Sequence, residues 1–361
     1  MTATVSTPHL LSFVPEELAA HLGSAGIAVR PEEARRVLSR AFELPGAPPR
    51  RRSPVAKRLF DDVARLTDRR RLELVERATD PSDGFVKYLF RSPDGALTEA
   101  VRIPLHKEGR FSVCLSSQVG CAMGCTFCAT GRLGLTRNLE TWEMVSAFLA
   151  VRDEAPGRVT GVVFQGQGEP FQNYDEVIRA ARVLSHPCGG HVSGTNITIS
   201  TVGLVPQIRR FAREGHPFRL IVSLTSAIEE RRRALLPVAG RYTMSELASA
   251  VREYAAVAKG RLTLAMVLMG GVNDGAEEAA ALERHFGGLK LRVNLIDVND
   301  ARPDGYRRST DEERSRFMSE LQRLRAPIVR RYSGGSARHA ACGMLAATVQ
   351  ASTAASPSDA E

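Results

Sequence analysis

The chain has 361 residues, 43% hydrophobic and 25% charged, a composition that suits one large globular domain with a smaller one beside it. No stretch approaches the run of ~18 apolar residues that a spanning helix needs, and the N-terminus lacks the basic start and apolar core of a secretory signal, so a cytoplasmic protein without a membrane segment is expected. The net charge of +9, with runs at Arg50, Arg51 and Arg52, at Arg69, Arg70 and Arg71, and at Arg231, Arg232 and Arg233, suits either a polyanionic partner or a solvated basic face. In chain order, PEELAAHLGSAGI (15–27) and PEEARRVLSRAFEL (31–44) are amphipathic helices with proline in the first turn, and a basic helix follows in 55–66. A turn-rich break at 78–84 leads into KYLFRS and ALTEAVRIP, which read as a small hairpin. Residues 1–90 are therefore expected to form an N-terminal accessory domain and a candidate RNA-binding one.

From about residue 110 the pattern changes. Apolar segments at 110–116, 160–166, 196–201, 218–224, 262–269 and 291–297 alternate with helical stretches. Their near-continuous apolar character predicts parallel strands covered on both faces. Capping-box spacing at Thr243/Glu246, Asp274/Glu277 and Thr310/Glu313 marks helix starts. The class expected for residues 91–347 is α/β, a partial (β/α)6 TIM-like barrel, with a disordered tail at 348–361.

Polar and glycine-rich segments fall where such a barrel places an active site, at the carboxyl ends of its strands. A cysteine loop follows the first barrel strand and GQGEP the second. STVG and SLTSA end the third and fourth, and GGVND and DVND follow the fifth and sixth. Of six cysteines, Cys114, Cys121, Cys125 and Cys128 lie within 15 residues, which points away from a secreted disulfide framework and toward metal or redox chemistry. The run CAMGCTFC spaces Cys121, Cys125 and Cys128 as Cys-x3-Cys-x2-Cys. Three thiolates at that spacing suit three corners of a [4Fe–4S] cube and leave one iron open, with Gly120 and Gly124 letting the backbone curl and Phe127 shielding the site. Zinc bound by Cys114 plus the three is the competing reading, although zinc ligands usually come as two distant pairs. Cys188, beside His186 and His191 in SHPCGGH, reads as a loop cysteine.

CAMGCTFCATG resembles the signature loop of radical S-adenosylmethionine (AdoMet) enzymes, in which the open iron chelates AdoMet and reduction releases a 5′-deoxyadenosyl radical. More narrowly, CLSSQVGCAMGCTFCATGRLGLTRNL, GQGEPFQNYDEVI, ITISTVGLVP, VSLTSA, LLPV, GVND, VNLI and AACGML, in that order across 85–347, are similar to the RlmN/Cfr-type RNA adenine methyltransferases. The resemblance implies a [4Fe–4S] cluster on Cys121, Cys125 and Cys128, and AdoMet as methyl donor and radical source. It implies that Cys342 accepts a methyl group and that Cys114 resolves a covalent RNA adduct through a transient disulfide with Cys342. Such a bridge needs Cα atoms within about 7 Å. Read without the family, Cys342 is a small buried hydrophobe. Glu99 matches the general base, where an edge-strand glutamate is the plain alternative. Gly168, Glu169, Ser200, Ser223, Leu224, Thr225 and Asn299 match the AdoMet pocket, with Glu169 on the ammonium and Asn299 on the ribose or adenine; strand-end turn chemistry is the alternative.

The reaction so implied is methylation of adenosine C2 in 23S rRNA, with tRNA as a further substrate, by a monomer supplied with electrons by flavodoxin or ferredoxin. Methylation at C8, or a radical AdoMet enzyme with a non-RNA substrate, are the alternatives. The chain departs from the pattern at Gln165 and Gln167, where the family commonly has methionine, and at Thr225, where histidine is frequent. SGGSARH replaces an acidic run before Cys342, placing Arg338 and His339 there. These departures mark a divergent branch.

Overall fold

The computed structural model describes residues 7–43, 57–299, 302–303 and 305–346. The basic run at 50–52 and the tail at 348–361 lie outside the described residues. Helices α1 (Pro15–Ser24), α2 (Pro31–Ala41) and α3 (Lys57–Leu66) open the chain. Proline stands in the first turn of α1 and α2, where a missing amide costs nothing. Glutamates three residues past each cap reach back: Val14 N donates to Glu17 Oε2 (3.3 Å) and Arg30 N to Glu33 Oε2 (3.1 Å). The apolar faces of the three helices meet in a cluster containing Leu18, Leu22, Val37, Leu38, Leu59 and Val63.

The elements that follow are β1 (Glu73–Thr79), β2 (Val86–Arg91), β3 (Leu97–Pro104), β4 (Arg110–Leu115), β5 (Gln118–Cys121), α4 (Ala129–Leu133), β6 (Gly134–Asn138), α5 (Thr141–Glu154), β7 (Arg158–Phe164), α6 (Tyr174–Ser185), β8 (Ile197–Thr201), α7 (Val205–Glu214), β9 (Arg219–Ser223), α8 (Glu229–Leu235), α9 (Met244–Val257), β10 (Leu262–Leu268), α10 (Ala276–Phe286), β11 (Leu291–Asp297), α11 (Asp311–Glu320) and β12 (Ile328–Arg331). Among the described residues, ten strands form one sheet in the order β1-β2-β3-β4-β7-β8-β9-β10-β11-β12. Pairing is antiparallel from β1 to β4 and parallel from β4 to β12. This is the mostly parallel α/β half-barrel that the alternating apolar segments predict, and all six expected strands are present. Phe164, Ile199, Val222, Leu264 and Val293 are fully buried along its parallel strands, as strands covered on both faces require.

Three features differ from the sequence reading. The hairpin β2–β3 is not separate: with β1 it extends the barrel sheet through β3–β4 pairing, so residue 90 lies inside the main sheet. The strand β12 adds another parallel strand; its short IVRR run, half-buried to exposed, carries no strong apolar signal. Capping boxes form at Thr243/Glu246 and Thr310/Glu313, but α10 starts from Gly275. Asp274 instead accepts from Gly271 N (3.0 Å) and the Ser309 hydroxyl (2.6 Å), tying together loops after β10 and β11.

The two sheet edges are bridged by loops. In the β1–β2 turn, Asp83 Oδ2 accepts from Tyr332 OH (2.9 Å) and Gly335 N (2.8 Å), and Asp80 Oδ2 accepts from Ala337 N (3.1 Å). That turn therefore anchors the segment that carries Cys342. Among the described residues, no helix is long and apolar enough to cross a membrane.

Candidate active site

The cysteine loop leaves the small hairpin β5–β6 beside the carboxyl end of β4. Cys121 and Cys125 are buried and Cys128 half-buried, and all three line one cavity of about 330 Å³. Gly120 is required there: its φ is +76°, and a Cβ would fall 2.0 Å from Gly134 O. The loop is bolted down at both ends. Thr126 N donates to Leu235 O (3.1 Å), at the end of α8, and Ala129 N donates to Gly343 O (2.7 Å), next to Cys342. Thr130 Oγ1 donates to Leu345 O (2.6 Å). Burial is the main reason that the Cys121 thiol is pushed up to about 11, and it pushes Cys125 up as well. Such thiols keep their protons until a metal displaces them.

The GQGEP loop follows β7. Its Glu169 is buried, and burial raises the carboxyl to about 7 against the pull of its hydrogen bonds. Phe171 N donates to Oε1 (2.9 Å) and Val202 N to Oε2 (2.8 Å), so the carboxylate ties the ends of β7 and β8. Gly168 lines the cavity with φ +98°, and a Cβ there would lie 2.6 Å from Gln118 Cβ. Gln118 Oε1 accepts from Glu169 N (2.8 Å), locking this loop onto the root of the cysteine hairpin. Gly168→Ala is expected to lose about 1–3 kcal/mol of stability through strain at a positive φ and this clash. Thermal unfolding of the purified chain checks it.

Ser200 and Ser223 end neighbouring strands with their hydroxyls 3.1 Å apart, and both line the cavity. Thr225 lies at φ +60°, held by Asn273 Nδ2 donating to its carbonyl (2.7 Å). That bond gives the GGVND segment a structural role. Leu224 is fully buried and does not line the cavity. Asn299 lines it, but its amide is engaged: Nδ2 donates to Ser333 Oγ (2.9 Å) and Cys342 O (3.4 Å), and Arg308 donates to Oδ1. Cys342 N donates to the same Ser333 hydroxyl (3.1 Å). Asn299 and Ser333 thus hold the Cys342 segment to the end of β11.

Cys342 is exposed on the cavity wall, and Cys114, on β4, is buried in that wall. Cys114 shares an apolar cluster with Phe85, Val101, Ala340 and Leu345, so residues on both sides of Cys342 pack around it. All six cysteines are free thiols, and the disulfide implied by the resemblance is not formed in this structure. Glu99 lies outside the cavity lining. It is buried on β3 and paired with Lys87 Nζ at 3.1 Å, a pairing that no sequence pattern signals. Cys188 packs against the helical cluster, its amide donating to His186 Nδ1 (3.1 Å).

The residues present fit an iron–sulfur cluster with AdoMet. Three cysteines of one loop line the cavity, and two buried oxygens of cavity-lining residues, Thr225 Oγ1 and Asn294 Oδ1, have no hydrogen-bond partner among the described residues. Buried polar atoms are normally satisfied, so these two suit a polar ligand.

A three-cysteine loop after the first parallel strand of an α/β half-barrel, facing glycine, carboxylate and hydroxyl groups on successive strand ends, defines the radical SAM class. The description of the radical SAM superfamily matches residues 115–282. A protein of Myxococcus xanthus named probable RNA methyltransferase is 50% identical over 295 residues, covering 81% of each chain. The dual-specificity RNA methyltransferase RlmN of Syntrophotalea carbinolica is 39% identical, covering 79% of each. The crystal structure of a radical SAM methyltransferase from Sphaerobacter thermophilus superposes with a TM-score of 0.83 at 36% identity, covering 94% of this chain and 100% of that one. The chain belongs to the radical SAM RNA methyltransferases of the RlmN type.

Proposed function

We propose that the protein methylates an adenine carbon, C2, in 23S rRNA and in tRNA, through an S-methyl group carried on Cys342. The observation that supports this reading is the gathering of five cysteines on one cavity, three in the loop and two, Cys114 and Cys342, outside it. A cluster loop alone needs three. A pair of further thiols serves a group carried on one and released by the other. Bound to Cys121, Cys125 and Cys128, the cluster would supply the electron that cleaves AdoMet.

This chain's own residues do the rest. Glu169 would hold the AdoMet ammonium, with Gly168 allowing close approach and Ser200, Ser223, Thr225 and Asn299 lining the pocket. Leu224 would contribute by packing behind Thr225. Cys342 stands exposed where a base can reach it, and buried Cys114 is shielded until the adduct forms. Glu99 is the proposed proton acceptor, with Lys87 keeping charge beside it. Residues 1–90 are proposed to grip RNA. The monomer would draw electrons from flavodoxin or ferredoxin.

Nucleoside mass spectrometry of RNA from cells with and without the gene tests the reading. Loss of 2-methyladenosine from 23S rRNA and tRNA is the expected result. Loss of 8-methyladenosine instead would move the target to C8, and unchanged RNA would rule out RNA as the substrate.

A further inference from the structure

Arg232, in α8, is buried. Its neighbours are ordinary ion-paired arginines: Arg231 meets Glu278 (2.7 Å) and Glu277 (3.0 Å), and Arg233 meets Glu229 (2.5 Å). Among the described residues, Arg232 has no carboxylate partner. Its guanidinium donates only to backbone carbonyls, those of Val202 after β8, Ser223 at the end of β9 and Leu224.

Carbonyl dipoles orient a guanidinium but do not neutralise it, and an uncompensated buried charge costs several kcal/mol. Arginine keeps its charge at neutral pH even when buried, and Cys125 of the cysteine loop is the ionisable side chain close enough to interact with it. The placement agrees. The end of α8 supports the cysteine loop, with Leu235 O accepting from Thr126 N (3.1 Å), between Cys125 and Cys128. A cubane held by three thiolates is net negative, and reduction adds one more negative charge.

We propose that Arg232 is the fixed countercharge of the iron–sulfur cluster, a positioning residue that favours the reduced cluster and raises its midpoint potential. The proposal rests on the cluster reading of the cysteine loop. It also explains why the site holds a cation, while the planar fork of arginine lets it meet several carbonyls at once. A purely structural tie between β8 and β9 would need the hydrogen bonds but not the charge.

The test is a redox titration of the anaerobically reconstituted full chain, followed by electron paramagnetic resonance without RNA. At the wild-type midpoint, Arg232→Met is expected to hold about tenfold less reduced relative to oxidised cluster, while Arg232→Lys stays near wild type. A methionine variant with full iron content and an unchanged potential overturns the proposal, as does a lysine variant that drops with it. Thermal unfolding gives a second readout: cluster loading should raise the midpoint more in wild type than in Arg232→Gln, because loading neutralises a buried charge that only wild type carries. Equal increments overturn the proposal. A wild-type chain that takes up no iron–sulfur chromophore would sink the cluster reading itself.

Discussion

Cys342→Ala is expected to assemble the cluster, bind AdoMet and transfer no methyl group to RNA, a fall of at least about 10³-fold in turnover. The separation follows from position. Cys342 is not in the cysteine loop and lines the cavity from a separate segment, one held by Ser333, Asn299 and the Asp83 carboxylate. Removing its thiol leaves all three loop cysteines and the residues of the proposed AdoMet pocket in place. It deletes the thiol of the one cysteine of the site that is exposed as a residue. Cys114→Ala should fail differently. On the proposed mechanism, with Cys342 intact the methyl would be accepted and joined to RNA, but the thiol that would release it is gone. A covalent protein–RNA species should then accumulate and survive denaturing electrophoresis, and it should be absent from the double variant. Multiple turnover by Cys342→Ala would end the S-methyl reading, and an unlinked, fully active Cys114→Ala would remove Cys114 from it.

The strands were legible because each is a run of apolar residues bounded by glycine or polar residues, and burial on both faces demands that pattern. The cysteine loop was legible because three thiols within eight residues have few other uses. What escaped the sequence has a common cause, since it depends on contacts between distant segments. The short strand β12 is recognisable only once β11 is beside it. Gln118 looks like any polar residue until Gly168 packs on it. Arg232 sits in a run of three arginines, and only the fold shows that the outer two meet carboxylates while the middle one turns inward. The family resemblance implies that Asn299 faces AdoMet, and its amide meets Ser333 and the Cys342 carbonyl. A single residue there can both hold the Cys342 segment and line the cavity.

AdoMet affinity should strengthen as pH rises through about 7 and then level off, with Glu169 as the titrating group. Burial lifts its carboxyl from 4.5 to about 7. Between those values the ligand-free folded chain binds a proton that the unfolded chain does not. Stability from this group is therefore greatest in acid and declines by about 3 kcal/mol as pH climbs through the window. An ammonium beside the carboxylate reverses the preference, because it pairs with the ionised form. Below about pH 7 binding must therefore expel a proton, and affinity should fall by up to about tenfold per pH unit. Calorimetry of the cluster-loaded chain in buffers of different ionisation enthalpy would detect that proton. Glu169→Gln keeps the shape but can neither titrate nor pair with the ammonium. It should bind AdoMet about 10–100-fold more weakly, in line with about 1.5–3 kcal/mol for a charged hydrogen bond, and with a flat pH profile. A wild-type affinity that does not change between about pH 5.5 and 8 would place the ammonium elsewhere, because a carboxyl poised near 7 cannot hold a cation without registering its own ionisation.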